Sequence, residues 1–142
     1  MSTARYLPLI GRLLIGLPFM LSGMGKLMGY DATIAYIKST SLPLPASLAF
    51  VGAIAVEIGC STLMIVGYQT RLVAAVFVGF CLVTAVFFHA HFSDQNQTFH
   101  FIKNLVMAGG LLQFVVYGAG AISIDSRRLR AREPRGALQS AN

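Results

Sequence analysis

Residues 50–67 read FVGAIAVEIGCSTLMIVG, and Glu57 is the single charged residue among these apolar side chains. A helix over this stretch would rise about 1.5 Å per residue, which places Glu57 roughly 15 Å from either end of a span. A charge at that depth in a bilayer costs several kcal/mol unless a partner neutralises it. The stretch therefore predicts a membrane-spanning helix with a buried polar site near its middle.

The composition of the whole chain favours the same environment. Of its 142 residues, 56% are hydrophobic and only 11% are charged, and the mean hydropathy is +0.70. The apolar runs are continuous and do not alternate, which argues against an outer-membrane barrel. We therefore expect an all-α membrane protein with a bundle of four transmembrane helices. The predicted spans are Tyr6 to Met28, Ala46 to Gly67, Leu72 to His89 and Lys103 to Ala121.

The connecting segments divide the chain into one domain and a tail. Residues 1–125 form the predicted transmembrane domain, and residues 126–142 form a basic cytoplasmic tail expected to be flexible. Between helices 1 and 2, Asp31 can cap a short outer helix that runs to about Lys38. The apolar side chains of this helix, Ile34, Ile37 and Tyr36, could lie against the outer membrane interface.

Basic residues near the ends of spans indicate orientation, because Lys and Arg are retained on the cytoplasmic side. An intracellular N-terminus places eight of the eleven basic residues inside and three outside. The inside residues are Arg5, Arg12, Arg71, Arg127, Arg128, Arg130, Arg132 and Arg135, and the outside ones are Lys26, Lys38 and Lys103. The short loops and this asymmetry predict a multi-pass protein of a bacterial inner membrane with both termini cytoplasmic. The basic residues flank spans in a lipid bilayer, so nucleic acid is not an expected partner.

Helical spacing places both cations of the first span on one face. Arg12, Gly16, Phe19, Gly23 and Lys26 follow steps of four and three residues. The two glycines allow another backbone to approach closely, which is how helices pack where lipid removes the hydrophobic driving force. We expect this face to pack against the second span, which bears Glu57.

Five charged residues in or beside the spans form the candidate site. Arg12, Lys26, Glu57, Arg71 and Lys103 are candidate ligand-binding residues, with Glu57 and Lys103 as candidate catalytic residues. The same charges could instead form a buried ion pair that holds the helices in register. Under the functional interpretation, Glu57 relays a proton or binds the polar head of a small ligand such as a quinone.

Cysteine and histidine allow two further hypotheses. Cys60 and Cys81 lie at similar depths in antiparallel spans, so a disulfide is conceivable, but packing as small apolar side chains is favoured. His89, His91 and His100 flank a short loop and could bind a metal, although hydrogen bonding at the interface is the preferred interpretation and no metal site is predicted.

Three segments in this order resemble the DoxX family of small membrane proteins. They are RLLIGLPFMLSGMGKL from Arg12 to Leu27, EIGCSTLMIVGYQTR from Glu57 to Arg71, and SID at residues 123–125. The resemblance covers the chain through about Asp125. It implies an inner-membrane four-helix protein similar to the membrane subunit of a thiosulfate:quinone oxidoreductase.

Two functions follow as hypotheses. In the first, the chain is a quinone-linked accessory or membrane-anchor subunit of a redox complex, with quinone as its one expected cofactor. In the second, it is a non-catalytic scaffold or assembly subunit whose buried charges are structural. The chain has no GxGxxG, CxxC or CxxCH motif, so an electron-transfer role would require a redox partner. We expect a homo-oligomer or a hetero-complex with such a partner, because lipid-facing and glycine-rich helices favour association.

Overall fold

The computed structural model describes residues 5–132, and these residues form six helices and no strand. Four helices are long and apolar enough to cross a membrane, which confirms the predicted four-helix membrane bundle. The spans are α1 (Leu7–Met28), α3 (Ala46–Val66), α4 (Thr70–His89) and α5 (Gln95–Tyr117), and the short helices are α2 (Tyr30–Lys38) and α6 (Ile124–Arg132). We call the end of the bundle where α1 begins and α5 ends the terminal side, and the opposite end the α2 side.

The predicted glycine face of α1 packs against α3. The buried residues of α1 are Arg12, Gly16, Phe19 and Gly23, all members of the predicted stripe. A Cβ atom at Gly23 would lie 2.9 Å from the Glu57 Cβ and 2.8 Å from Ile58 Cγ1. Glycine is therefore required at this position for α1 and α3 to approach as closely as they do.

We expect Gly23→Ala to destabilise the bundle by about 1–3 kcal/mol, because the added methyl group must push α1 away from the Glu57 backbone. Gly25→Ala is the matched control, since no atom lies within 4 Å of the position a Cβ would take there. That control should be neutral or stabilise the helix by up to about 1 kcal/mol. Unfolding in detergent followed by circular dichroism measures both values, and equal effects of the two substitutions would contradict the close packing.

The span α3 contains a π-helical segment, Ala55–Cys60, which includes Glu57. A π-helical turn has one residue more than an α-helical turn, and such turns are uncommon and frequently occur at functional sites. The wider turn rotates the side chains that follow it around the helix axis, relative to their positions in a regular α-helix. The sequence contained no signal for this segment, since neither proline nor an unusual run of glycine marks it.

The second pair of spans, α4 and α5, packs side by side along its length. Phe77 and Cys81 of α4 and Leu111 of α5 are fully buried and form a core with Phe19 of α1. Both cysteines are free thiols. Cys81 lies within this core and Cys60 packs against it, which agrees with the packing role preferred for them.

The predicted start of the fourth span, at Lys103, is wrong by eight residues, because α5 begins at Gln95. The cause is Asp94, whose side chain accepts a hydrogen bond from the Asn96 N–H at 2.8 Å and so caps the helix. Its first turn, residues 95–98, is polar, and His100 and Lys103 interrupt the apolar residues that follow, so hydropathy did not include this part of the helix. As a result, His100 and Lys103 lie one turn apart on the same helix.

The short helix α2 exists as predicted, and part of its apolar face packs against the rest of the bundle. Ile37 is buried within the protein. The Tyr36 hydroxyl donates a hydrogen bond to the Phe88 carbonyl at 3.2 Å, which ties α2 to the end of α4. Tyr30 packs edge-on against Phe50 of α3, with ring centroids 4.9 Å apart. The helix therefore covers the α2 side of the bundle, because its tyrosines contact α3 of one helix pair and α4 of the other.

The beginning of the predicted flexible tail is helical, since residues 126–132 belong to α6. The Ser123 hydroxyl accepts a hydrogen bond from the Ser126 N–H at 3.1 Å, which starts the helix. Residues 133–142 of the predicted tail lie outside the described residues.

Candidate functional site

Glu57 forms an ion pair with Lys26, one of the cations predicted to surround it. The Lys26 Nζ lies 2.6 Å from Glu57 Oε1 and 2.7 Å from Oε2. Lys26 also donates to the Ser22 hydroxyl at 2.9 Å, and that hydroxyl donates to Glu57 Oε1 at 3.0 Å. Ser22 and Lys26 are one turn apart on α1, so one helix supplies both groups that bind the carboxylate.

The two partners of this ion pair differ in exposure. The Glu57 side chain is 4% exposed, whereas that of Lys26 is 31% exposed. Within residues 5–132 this is the only ion pair of side chains. The ammonium group therefore lies between a buried carboxylate and an accessible space, and Glu57 and Ser22 together accept from all three of its N–H donors.

That space is a cavity of about 730 Å³ between the helix pairs α1/α3 and α4/α5. Most of its wall is apolar, and α2 covers it through Thr33, Tyr36 and Ile37. Ser22, Lys26 and Glu57 provide the polar groups of one wall. A volume of this size accommodates a drug-sized organic molecule.

A second polar cluster lies on the α4/α5 wall of the same cavity. The rings of His89 and His100 stack with centroids 5.0 Å apart. Lys103 Nζ lies 3.0 Å from His100 Nδ1, and His89 Nδ1 lies 2.7 Å from Gln97 Oε1. An ammonium group can only donate and an amide oxygen can only accept, so this arrangement assigns an acceptor nitrogen to His100 and a donor N–H to His89.

Asn104 anchors this cluster by hydrogen bonds to both helices. Its amide nitrogen donates to the His100 carbonyl at 2.9 Å, and its oxygen accepts from the Thr84 hydroxyl at 3.1 Å. The side chain is buried, and both of its polar ends are satisfied. Asn104 therefore joins α4 to α5 at the level of the cavity.

The cavity is accessible between α3 and α4 at membrane depth. Gly52, Val76 and Val83 line it and are themselves exposed. The first half of α3 makes few contacts with α4, whereas the second half packs against it. A ligand dissolved in the lipid could therefore enter from the side of the bundle.

Arg12 does not share this cavity, so the expectation of one pocket that includes Arg12 with Glu57 is wrong. Arg12 and Lys26 are fourteen residues apart on α1, or about 21 Å along the helix. The Arg12 side chain is fully buried at the terminal side. Its guanidinium donates to the carbonyls of Met64 at 3.3 Å and Ile65 at 3.1 Å, and also to that of Ile122.

Arg12 thus binds the carbonyl end of α3, where a cation is favoured by the helix dipole. Asp125 binds the neighbouring helix start in a complementary way. Its carboxylate accepts from the Gln69 N–H at 2.8 Å and the Thr70 N–H at 2.9 Å, at the beginning of α4. These contacts tie the turn between α3 and α4 to the segment after α5, so they stabilise the fold away from the cavity.

Arg71 is also separate from the cavity. It is the second residue of α4 and is exposed on the terminal side, beside Gly118. The structure therefore brings Lys26, Glu57 and Lys103 to one cavity, and it leaves Arg12 and Arg71 at the other end of the bundle. Lys103 contacts His100 and not Glu57. The catalytic roles of Glu57 and Lys103 stay predictions.

The three histidines that flank the loop between α4 and α5 do not all reach the cavity. His89 and His100 line the cavity, whereas His91 lies beyond the end of α4 and does not. Among residues 5–132, no group of three or more His, Cys, Asp or Glu side chains is arranged to hold a metal ion.

Several cavity residues were missing from the predicted site. Ser22, Tyr36 and Asn104 were not identified because they are uncharged. Ser22 and Lys26 are four residues apart, and His100 and Asn104 share the same spacing. This spacing was a usable signal for Ser22, but for Asn104 it required the true start of α5.

Comparison with known proteins gives a family match and two similar membrane proteins. The DoxX family profile matches residues 7–90. The inner membrane protein YphA of Escherichia coli (strain K12) is 35% identical over 142 aligned positions, which cover 89% of this chain and 100% of YphA. The inner membrane protein YqjF of the same organism is 35% identical over 120 positions, which cover 82% of this chain and 88% of YqjF. No solved structure matches the chain.

Proposed function

The chain belongs to the DoxX family, and from that membership we propose that it is an inner membrane protein that binds the head group of a lipid-soluble quinone between Lys26 and His100. The observation that carries this proposal is the cavity between the helix pairs. It is mostly apolar, it is bordered by exposed residues of α3 and α4, and two separate polar clusters line it, one on α1 and α3 and the other on α4 and α5. A quinone has the same distribution of chemistry, with a planar apolar ring and a carbonyl at each end.

The residues present fit such a head group. Carbonyl oxygens require hydrogen-bond donors. Lys103 has N–H groups that His100 does not use, and on the other wall Lys26 can share a donor that Glu57 or Ser22 now accepts. Phe80 and Phe88 of α4 also line the cavity and can pack against a flat ring. The opening between α3 and α4 leaves room for an isoprenoid tail to extend into the bilayer.

Glu57 has two roles in this proposal. It holds the Lys26 ammonium group in place, and its carboxylate can accept a hydrogen bond from a hydroxyl group of the reduced head group. When bound, a quinone supplies two-electron, two-proton redox chemistry. In the observed hydrogen-bond pattern His100 accepts at Nδ1 and is therefore neutral, and His89 donates its Nδ1–H to Gln97.

The wider role is that of an accessory or membrane-anchor subunit. The electrons would come from a redox partner docked on the bundle, and the terminal side would face the cytoplasm, as the positive-inside rule predicts. A scaffold whose charges only hold the bundle together is the competing function. The two functions differ in whether the cavity has an occupant.

The test compares two glycines of the bundle. No atom lies within 4 Å of the Cβ position at Gly79 or Gly109, but Gly79 lines the cavity and Gly109 does not. We expect Gly79→Leu to weaken binding of decylubiquinone about tenfold or more, because the leucine occupies the volume of the ring. The control Gly109→Leu should change the affinity less than about twofold. Native mass spectrometry or equilibrium dialysis on the detergent-purified protein measures both.

The variant Glu57→Gln tests the polar wall independently. We expect it to weaken decylubiquinone binding about tenfold, because the Lys26 ammonium group loses the anion that positions it. Wild-type protein that binds no decylubiquinone, or equal affinity of the Gly79 and Gly109 variants, would contradict the proposal. The scaffold function would then be favoured.

A further inference from the structure

Four exposed arginines line a groove on the terminal side of the bundle, far from the cavity. The groove has a volume of about 970 Å³ and lies between α6 and the adjoining ends of α4 and α5. Arg71 comes from α4, and Arg128, Arg130 and Arg132 come from α6. Residues more than fifty positions apart in the sequence therefore contribute positive charge to one surface.

This charge is not neutralised within the described part of the chain. Among residues 5–132, Asp125 is the only carboxylate that lines the groove. Both of its oxygens already accept hydrogen bonds from the backbone N–H groups of Gln69 and Thr70. None of the four arginines forms an ion pair with a carboxylate of these residues. The groove therefore has an excess of positive charge and unused guanidinium donors.

Two of the arginines are held in position by neighbouring groups. The Arg128 guanidinium lies over the Tyr68 ring at 5.1 Å from its centroid. Arg130 Nη2 donates to the Ala121 carbonyl at 3.3 Å and to the Ser126 hydroxyl at 3.0 Å. These contacts use only part of each guanidinium, which has five N–H donors. The remaining donors are available to an anion.

The groove lies at the depth of the lipid head groups. It adjoins Thr70, where α4 begins, and Tyr117, where α5 ends. Tyr117 is 77% exposed, and the neighbouring Leu72 and Leu129 are exposed as well. Tyrosines are enriched at the boundary between hydrocarbon and head groups. One edge of the groove is thus apolar and faces lipid, while its other lining is cationic.

We propose that this groove binds the phosphate of an anionic phospholipid head group. Guanidinium groups bind phosphate oxygens in pairs, and the exposed leucines and tyrosine offer a surface for the adjoining acyl chains. A free phosphate ion has the same anionic chemistry, but it has no acyl chains that could contact the apolar edge. This site is independent of the quinone cavity, which lies on the other side of Arg12.

The experiment measures lipid binding to the full chain in detergent by native mass spectrometry, with phosphatidylglycerol and phosphatidylcholine as probes. Arg71→Gln is compared with Arg127→Gln, since Arg127 is an exposed arginine of α6 that does not line the groove. Each substitution removes one positive charge from the same side. We expect Arg71→Gln to weaken phosphatidylglycerol binding about fivefold and Arg127→Gln to weaken it less than about twofold.

Phosphatidylcholine should bind more weakly than phosphatidylglycerol, and 10-fold molar excess of inorganic phosphate over lipid should not displace the lipid. Equal losses of phosphatidylglycerol affinity in Arg71→Gln and Arg127→Gln would contradict a specific site in the groove. They would indicate diffuse electrostatic attraction to a basic surface instead. Displacement by inorganic phosphate would overturn the lipid assignment. Arg128→Gln gives a second variant of the groove, on a different helix, and should reproduce the effect of Arg71→Gln.

Discussion

Replacing Lys26 with methionine is expected to destabilise the bundle by about 3 kcal/mol, because it leaves the Glu57 carboxylate buried without its counter-charge. The Glu57 side chain is only 4% exposed, so water would solvate the carboxylate poorly after the ammonium group is removed. The Ser22 hydroxyl remains as a single donor, which places the expected loss at the lower end of the range for broken buried pairs.

The matched control is Lys38→Met, which removes an exposed cation from the same side of the bundle. It should change the free energy of unfolding by less than about 0.5 kcal/mol. Reversible unfolding in mixed detergent micelles, followed by circular dichroism, gives both values. The double variant Lys26→Met with Glu57→Gln should recover part of the loss, since it removes the uncompensated charge. If Lys26→Met behaves like Lys38→Met, the ion pair contributes little to the fold.

Arg12→Met is expected to have an effect of similar size, about 3–5 kcal/mol of lost stability. The substitution leaves the carbonyls of Met64, Ile65 and Ile122 without the donor that serves all three. Because Arg12 is fully buried, lipid and protein surround these carbonyls and offer few replacements. The methionine side chain fills most of the volume but donates no hydrogen bond.

Two controls make this prediction specific. Arg5→Met removes an exposed arginine near the same end of the chain and should cost less than about 0.5 kcal/mol. Arg12→Lys keeps the charge but has no planar fork to reach three carbonyls, so it should still lose about half of the stability that Arg12→Met loses. Binding of decylubiquinone per folded molecule should not change in Arg12→Met. If Arg12→Met specifically lost decylubiquinone binding, Arg12 would belong to the ligand site, as the sequence predicted.

The sequence was most informative about the Glu57 region. An isolated carboxylate in an apolar stretch identified a buried polar site, and the spacing of Gly16, Gly23 and Lys26 identified the face of α1 that packs against it. Both predictions depend on local properties, namely hydropathy and the 3.6-residue period of a helix. The same properties located the ends of α1, α3 and α4 within two residues.

Other features depended on how the helices are placed relative to one another. The sequence offered four cations for the candidate site around Glu57, and the structure pairs only Lys26 with it. The choice depends on depth and rotation, which periodicity along one helix does not specify. Similarly, Tyr30 and Tyr36 of α2 pack on Phe50 and Phe88, and no local pattern distinguishes an aromatic ring facing protein from one facing lipid.

The sequence by itself determined the class of protein, the number of spans and the presence of a buried polar site, because each follows from the free energy of transferring short segments from water to lipid. The tertiary structure decided which charges meet. It separated Arg12, which binds the carbonyl end of α3, from Lys26, which binds Glu57, and it brought His100 and Lys103 to the wall of the same cavity. The physical reason is that these contacts join residues remote in sequence, and their energies depend on distances of a few ångströms between packed helices.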